Sequence, residues 1–249
     1  SDVYKRPPPG NPPGPGVLAV QVGDKNPGTN LKLNADPDQF QFAVVSDRTG
    51  GHRGKVFSRG VYQVNLLQPQ FVLSVGDLVE GYTTDADKAA EQWREFQSFS
   101  GRLRMPFFYV PGNHDLANPF MARLWEEKFG RRYYHFVYRD VLFLAVACDD
   151  AGEDQGYGAI GKEQVDYFTN VLKQNAGVRW TVELMHKPVW AMEKAKAEGW
   201  FDIEKALNGR KYTVFVGHMH RFEKFVRNGM NYYQLATTGG SSKVRGLAY

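Results

Sequence analysis

Cysteine is nearly absent from the chain: the only one, Cys148, lies in the apolar run "VLFLAVACDD". One thiol cannot form an intramolecular disulfide, and its apolar neighbours indicate a small buried core residue. The sequence also lacks any apolar stretch long enough to span a bilayer. Long basic runs are missing too, since 31 basic and 27 acidic residues are spread along the chain and give a net charge of +4. The composition therefore gives no independent case for binding nucleic acids or membrane surfaces, but it suits a local anionic ligand.

Proline and glycine are concentrated near the N-terminus, in the segment "KRPPPGNPPGPG" from Lys5 to Gly16. This composition excludes a helix or a central strand there. We interpret residues 1–39 as an extended arm and a lead-in, with one edge strand predicted at Val17–Val22. Residues 40–249 are predicted to form one compact domain, because they contain no internal repeat and no second composition regime. The tether and an N-terminus that resembles a processed one favour an exported bacterial protein, periplasmic or secreted, and a cytoplasmic location stays open.

From Phe40 onward, the apolar pattern alternates between strand and helix periods. Two antiparallel pairs are also predicted, one turning at Arg139–Asp140 and the other at Asn228–Gly229, a strong hairpin signal. Alternating strands and helices favour an α/β fold with helices on the faces of the sheet. Within the helix predicted for "GKVFSRGVYQVNLLQ", the apolar positions expected to share one side are Val56, Val61, Val64 and Leu67.

Five of the apolar runs end on side chains that can bind metal ions or protons. In chain order these are Asp47, Asp77, Asn113, His114, Asp115, His186, His218 and His220. Taken singly, each would more often be a helix cap, a turn residue or a core residue. In open α/β sheets, however, the carboxyl ends of the strands share one crevice, so these residues should meet there. Oxygen and imidazole donors suit Mn, Fe, Zn or Co, and a shared aspartate can bridge two such ions.

The motifs "SDRT", "VGDLVEGY", "PGNHD", "LMHKP" and "VGHMH", in this order, resemble those of the calcineurin-like metallophosphoesterases. The resemblance covers the chain from about Phe40 to its C-terminus. It implies a four-layer α/β/β/α sandwich of two mixed sheets flanked by helices. It also implies a site for two divalent or trivalent transition-metal ions at the strand ends, where a small phosphate ester is hydrolysed.

The resemblance also implies a role for each matching position. The implied ligands are Asp47 and His220 for the first metal ion, Asp77 for the bridge, and Asn113, His186 and His218 for the second ion. His114 would contact the phosphate and act as general acid, with Asp115 orienting its ring. A carboxylate partner fixes the tautomer of an imidazole and raises its pKa, which suits proton donation to a leaving alkoxide.

The first motif departs from the family pattern, because Thr49 stands where a histidine ligand is expected. The related purple acid phosphatases place a tyrosine three residues after the bridging aspartate, and here that position is Glu80. The missing ligand is left to His52, Glu80, Tyr82 or water. We include His52 among the predicted metal ligands, because the flexible Gly50–Gly51 loop could swing its imidazole back to the metal. The alternatives are that His52 faces the substrate or packs.

Arg48 and Arg53 flank this loop and are predicted to bind the substrate, since a guanidinium fork suits phosphate oxygens. The alternative for each is an ion pair with a nearby acidic residue. The function predicted is dinuclear metal-dependent hydrolysis of phosphoric esters. The compact size, with no added cap domain visible, favours small phosphodiesters. A phosphomonoesterase of the same fold and a non-catalytic binding module are the alternatives.

Overall fold

The computed structural model describes residues 20–21, 28–29, 39–149, 159–192 and 194–242, and side chains are described in all of these except 20–21 and 194–198. The strands are β1 Val20–Gln21, β2 Phe42–Val45, β3 Phe71–Ser74, β4 Phe107–Phe108, β5 Tyr134–Tyr138, β6 Val141–Ala145, β7 Trp180–Leu184, β8 Tyr212–Val216, β9 Glu223–Arg227 and β10 Met230–Gln234. The helices are α1 Val56–Leu67, α2 Ala86–Ser100, α3 Pro119–Phe129, α4 Lys162–Gln174 and α5 Lys194–Ala206, with a 3₁₀ turn at Val189–Ala191.

These strands form two sheets. The larger has seven strands in the order β1-β5-β6-β7-β8-β10-β9, and β6, β7, β8 and β10 run parallel in it. The smaller has the order β2-β3-β4, all parallel, because α1 and α2 provide the long crossovers that parallel strands require. The prediction of two sheets flanked by helices is therefore confirmed. The larger sheet is mixed over its named strands. Among the described residues, the smaller sheet has one antiparallel contact, an isolated bridge between Gly28 and Phe108.

Three apolar layers hold the sandwich together. Between the sheets, Phe71 and Leu73 of β3 pack with Phe136 and Phe143 of the larger sheet. Val72, the residue between them on β3, points to the other face and packs under α1, α2 and α3, because successive strand side chains alternate. Helices α4 and α5 cover the outer face of the larger sheet. The layers are thus helix, sheet, sheet and helix, as the resemblance implies.

Both predicted hairpins are present. Arg139 and Asp140 have φ of 46° and 57°, and Asn228 and Gly229 have 51° and 75°. Positive φ at both central residues is the signature of the two-residue turn that matches strand twist. Cys148 is buried in the core as predicted, and burial, followed by the neighbouring Asp149, raises the pKa of its thiol to about 12.

One core prediction is wrong: Leu67, at the end of α1, is 71% exposed. Phe57 and Val61 are the buried residues of this helix instead, with Val64 packed at the margin. At 3.6 residues per turn, Leu67 lies roughly 90° from the centre of the stripe that these residues define.

Only parts of the lead-in fall within the described residues. Val20–Gln21 pairs antiparallel with β5 at the edge of the larger sheet, which agrees with the predicted edge strand, and the remainder of Val17–Val22 lies outside. Thr29 exchanges hydrogen bonds with Phe107. The segment Lys5–Gly16 lies outside the described residues, and the domain boundary at residue 40 stays a prediction. In the part of the chain that is described, none of the helices has the length and hydrophobicity of a membrane span.

Candidate metal centre

The polar strand ends meet at one edge of the sandwich. The loops after β2 and β3 of the smaller sheet carry Asp47 and Asp77, and those after β7 and β8 of the larger sheet carry His186, His218 and His220. Four of these residues have φ between 29° and 70°, namely Asp47, Asp77, His218 and His220. Non-glycine residues rarely adopt this left-handed region, and such strain is concentrated at functional sites. The loops are therefore bent so that the side chains converge.

One group of donor atoms surrounds the buried ring of His186. Its Nε2 atom lies 3.1 Å from Asp77 Oδ2, 3.0 Å from Asn113 Oδ1 and 3.2 Å from His218 Nδ1. His186 Nδ1 donates to the carbonyl oxygen of Val75 at 2.8 Å, so Nε2 is the ring atom that faces the other ligand atoms. Although burial alone would lower it, the Asp77 carboxylate raises the pKa of His186 to about 10. The cluster attracts positive charge, and its oxygen and nitrogen donors fit a transition-metal ion.

A second group consists of Asp47, Asp77 and His220, whose ligand atoms lie within 4.8 Å of one another. His220 Nδ1 faces the carbonyl oxygen of Ser241 at 2.9 Å, which leaves Nε2 towards Asp47 Oδ1 at 3.4 Å. The main-chain N–H of His218 and the hydroxyl of Ser46 donate to the Asp47 carboxylate. Anchoring the outer nitrogen of a histidine and the second oxygen of a carboxylate is the usual support of metal ligands.

Asp77 belongs to both groups and occupies the position of a bridge. Burial works against its ionisation, yet the neighbouring His186, followed by His114, lowers the pKa of Asp77 to about 2. An anionic, fully enclosed carboxylate between two clusters of lone pairs fits a shared ligand of two cations.

The ring of His114 is oriented by a main-chain group. Its Nδ1 donates to the carbonyl oxygen of Glu80 at 2.7 Å, and its main-chain N–H donates to Asp77 Oδ1 at 3.0 Å. Its Nε2 atom lies 3.9 Å from Asp77 Oδ2. The imidazole therefore presents Nε2 to the space beside Asp77.

Asp115 does not orient that ring, which corrects the role implied by the resemblance. Its fully buried carboxylate accepts hydrogen bonds from the main-chain N–H groups of Gly112 at 2.8 Å, Leu78 at 3.0 Å and Val79 at 3.1 Å. The physical reason is that the loops after β3 and β4 leave these donors without strand partners, and a buried donor must be satisfied. Burial, followed by the charge of Asp77, raises the pKa of Asp115 to about 7, against the three N–H donors.

His52 lies outside both groups of ligand atoms within the described ranges. Its main-chain N–H and its Nδ1 bond the carboxylate of Glu80, at 3.2 and 3.0 Å, and 47% of its side chain is exposed. Burial opposes ionisation of Glu80, but hydrogen bonds from Thr49, then His52, lower its pKa to about 2. The structure therefore does not bring His52 to either group of ligand atoms, and Thr49 is buried at the position of the family histidine.

The two arginines are engaged with the protein. Arg48 is buried, forms an ion pair with Glu95 of α2 at 2.5 Å and lies over the ring of Phe99. This corrects the expectation of a substrate contact for Arg48: its side chain points to the helix layer, where a carboxylate neutralises it. Arg53 donates to the carbonyl oxygen of Gly240 and the hydroxyl of Thr237, which ties the loop after β10 to the site. A substrate contact by Arg53 stays a prediction.

Two supporting residues were not found from the sequence. Ser241 anchors His220, and no motif marks it. Tyr82, predicted only as one possible metal ligand, accepts a hydrogen bond from Asn113 Nδ2 at 3.0 Å and so aims the amide oxygen at His186. Its ring also stands edge-on to His114, with centroids 4.8 Å apart.

Solved structures of phosphoesterases share this fold. A dimetal phosphatase from Danio rerio superposes with a TM-score of 0.60 at 13% identity, covering 80% of this chain and 88% of that one. GAP50, the anchor in the inner membrane complex of Plasmodium, gives 0.61 at 15% identity, covering 84% and 75%. At these identities the likeness concerns the fold alone.

Sequence comparison gives one curated relative, a probable glycerophosphodiester phosphodiesterase GpdQ from Arcobacter nitrofigilis. It is 23% identical over 135 residues, which is 52% of this chain and 46% of the relative, so the match spans about half of each protein. The family model for calcineurin-like phosphoesterases matches residues 54–222, a range that begins after the loop carrying Asp47 and His52. The chain therefore belongs to the calcineurin-like phosphoesterase family.

Proposed function

We propose that the protein hydrolyses phosphoric esters at a dinuclear metal centre, with small phosphodiesters as its preferred substrates. The observation that carries this proposal is the pair of ligand groups that share Asp77, with the Nε2 atom of His114 beside them. The ligands would be Asp47, Asp77 and His220 for one ion, and Asp77, Asn113, His186 and His218 for the other. When bound, two such ions lower the pKa of a water molecule and neutralise phosphoryl oxygens.

His114 is the proposed general acid. Its Nδ1 proton is held by the Glu80 carbonyl oxygen, so any proton that the ring gives up in catalysis leaves from Nε2. The bond from its main-chain N–H to Asp77 fixes the ring close to the bridging carboxylate. A proton held at Nε2 is thus placed for transfer to the oxygen of the departing alcohol, which would otherwise leave as an alkoxide.

Two observations support a diester over a monoester. A monoester is a dianion and requires additional positive charge, whereas the Arg48 guanidinium is already neutralised by Glu95. The curated relative is a probable glycerophosphodiester phosphodiesterase, although the match covers about half of it.

The test is steady-state hydrolysis by the metal-reconstituted protein of one aryl phosphodiester and the matching aryl phosphomonoester. We expect a higher kcat/KM for the diester. We also expect His114→Asn to lower kcat for an alkyl phosphodiester by about 10²–10⁴ while keeping its metal ions, because an alkoxide leaves slowly without a proton. Equal or faster monoester hydrolysis would reject the diester preference, and an unchanged kcat in His114→Asn would reject the acid.

The likeness to GAP50, described as an anchor, favours one other candidate, a non-catalytic binding module. Metal analysis separates the two functions. A binding module would show no hydrolysis of either ester and no stoichiometric metal after reconstitution, whereas the proposed enzyme binds two ions per chain.

A further inference from the structure

The loop after β3 lies directly against the backbone of His114. Gly81, in this loop, has a φ of 59°, and a Cβ atom there would lie 1.8 Å from the carbonyl oxygen of His114. Its main-chain N–H donates to Gln92 Oε1 of α2 at 2.8 Å. The next residue, Tyr82, has a φ of 46°, in the left-handed region that residues other than glycine rarely adopt. Strain of this kind is concentrated at functional sites, and it indicates that Tyr82 is held in a defined place.

The hydroxyl of Tyr82 holds the outer end of the Asn113 side chain. It accepts a hydrogen bond from Asn113 Nδ2 at 3.0 Å, while Asn113 Oδ1 lies 3.0 Å from Nε2 of His186. Asn113 is buried, whereas Tyr82 is 54% exposed. The buried amide is therefore fixed between a proposed ligand on its inner side and a surface tyrosine on its outer side.

Only one end of an asparagine amide can bind a cation. The oxygen is an acceptor, whereas the nitrogen carries two hydrogens and serves only as a donor. The two ends have nearly the same shape, so packing alone does not decide which of them faces the metal ligands. When the oxygen faces inward, the buried amino group requires an acceptor of its own, because a buried donor without a partner is unfavourable. The Tyr82 hydroxyl is the acceptor that the structure provides.

We propose that Tyr82 is a positioning residue for one metal ion, the ion bound by the donor group around His186 and here called the His186 ion. Its hydroxyl keeps the Asn113 oxygen directed at that ion. On this view the hydroxyl is not the missing ligand of the ion at Asp47 and His220, here called the His220 ion. The inference rests on the proposed function in one respect, because it requires the two metal ions, but it does not require hydrolysis.

The experiment compares Co²⁺ binding by the unmodified chain, Tyr82→Phe, Asn113→Asp and the double variant that carries both substitutions. Tyr62→Phe is the matched control, because this exposed tyrosine lies on α1, which carries none of the proposed ligands. Calorimetry gives the Kd of each ion, and the ion whose Kd changes in Asn113→Asp is the His186 ion. The visible absorption of bound Co²⁺ reports the ligands around it. The value of kcat for the aryl phosphodiester is measured at limiting and at saturating Co²⁺.

We expect Tyr82→Phe to raise the Kd of the His186 ion about tenfold, a typical effect of removing a group that orients a metal ligand. The Kd of the His220 ion should change by less than about twofold, since the amide belongs to the other donor group. In the Asn113→Asp background, removal of the hydroxyl should have a much smaller effect, because both ends of a carboxylate are oxygens. Activity that Tyr82→Phe loses at limiting Co²⁺ should return at saturating Co²⁺, because mass action refills the site.

Three results would overturn the inference. Unchanged affinity for the His186 ion in Tyr82→Phe would show that the hydroxyl does not support Asn113. An equal loss of affinity in the Asn113→Asp background would show that the hydroxyl does not act through the amide. A phenolate-to-metal charge-transfer band in Fe³⁺-loaded protein that disappears in Tyr82→Phe would make the hydroxyl a ligand. Failure of the proposed function looks different: the unmodified chain would hydrolyse neither ester, whatever its affinities for Co²⁺.

Discussion

Replacing Asp115 tests whether this residue stabilises the surrounding main chain or acts in catalysis through His114. In the structure its carboxylate satisfies the main-chain N–H groups of Gly112, Leu78 and Val79. Asp115→Ala leaves three buried donors without an acceptor, at about 1–3 kcal/mol each, or roughly 3–9 kcal/mol in total. Because a domain of this kind has about 5–15 kcal/mol of stability, this variant should be close to unfolding.

Asp115→Asn is the informative variant. Its amide oxygen can replace Oδ1, which serves Leu78 and Val79, but its amino group then faces the N–H of Gly112. One buried donor, the Gly112 N–H, loses its acceptor, so the free energy of unfolding should fall by about 1–3 kcal/mol. Since the Glu80 carbonyl still orients His114, kcat per folded molecule should change by less than about tenfold.

The assay is urea denaturation at a fixed metal concentration, together with kcat corrected for the folded fraction. Asp166→Asn is the control, because this exposed aspartate pairs with Lys162 at the surface and the variant should stay within about 0.5 kcal/mol. The reasoning is refuted if Asp115→Asn keeps its stability and loses about 10²–10⁴ in kcat, since Asp115 would then act through His114.

Three further predictions concern other parts of the chain. Gly50→Ala should bind one ion fewer and lose most activity, because its Cβ would meet the His220 ring at 2.8 Å. Gly54→Ala, whose Cβ would have nothing within 4 Å, should keep its metal ions and its activity. Equal metal content in the two variants would contradict this prediction. Burial, then Arg131, lowers the pKa of His135 to about 4. Below pH of about 6.5 the folded protein therefore binds fewer protons than the unfolded chain, and its stability is lost as pH falls from about 6.5 to 4. In urea titrations of metal-free protein between pH 7 and 4.5, this loss should exceed that of His135→Gln by about 2–3 kcal/mol. Buried Cys148 should react with Ellman's reagent only at the rate of unfolding, and rapid labelling of the folded protein would show that the thiol is accessible.

The convergence of the proposed metal ligands could be predicted because each follows an apolar run, and parallel strands bring such ends together. The groups that hold these side chains in place could not be predicted. His114 is held by a main-chain carbonyl, which every residue type possesses, so no pattern of side chains marks Glu80. Arg48 and Glu95 are 47 residues apart in the sequence, and they form their ion pair only because α2 packs against the loop after β2.

The same limit applies to the helices and to the departure from the family. Apolar spacing located α1 but did not define its buried side, because Phe57, rather than Leu67, faces α2. The sequence shows that Thr49 stands in place of a ligand. The position of the His52 ring, however, depends on Glu80, which the loop after β3 brings to it.

The two sheets each contribute to both ligand groups: Asp77 comes from the smaller sheet and meets His186 and His218 of the larger, and Asp47 likewise meets His220. A metal ion bound to either group would therefore act as a cross-link between the halves of the sandwich. Because such a site exists only when both halves are docked, metal binding free energy adds to folding free energy. Chelation should then lower the free energy of unfolding of the domain, and the free metal concentration would set the size of that contribution.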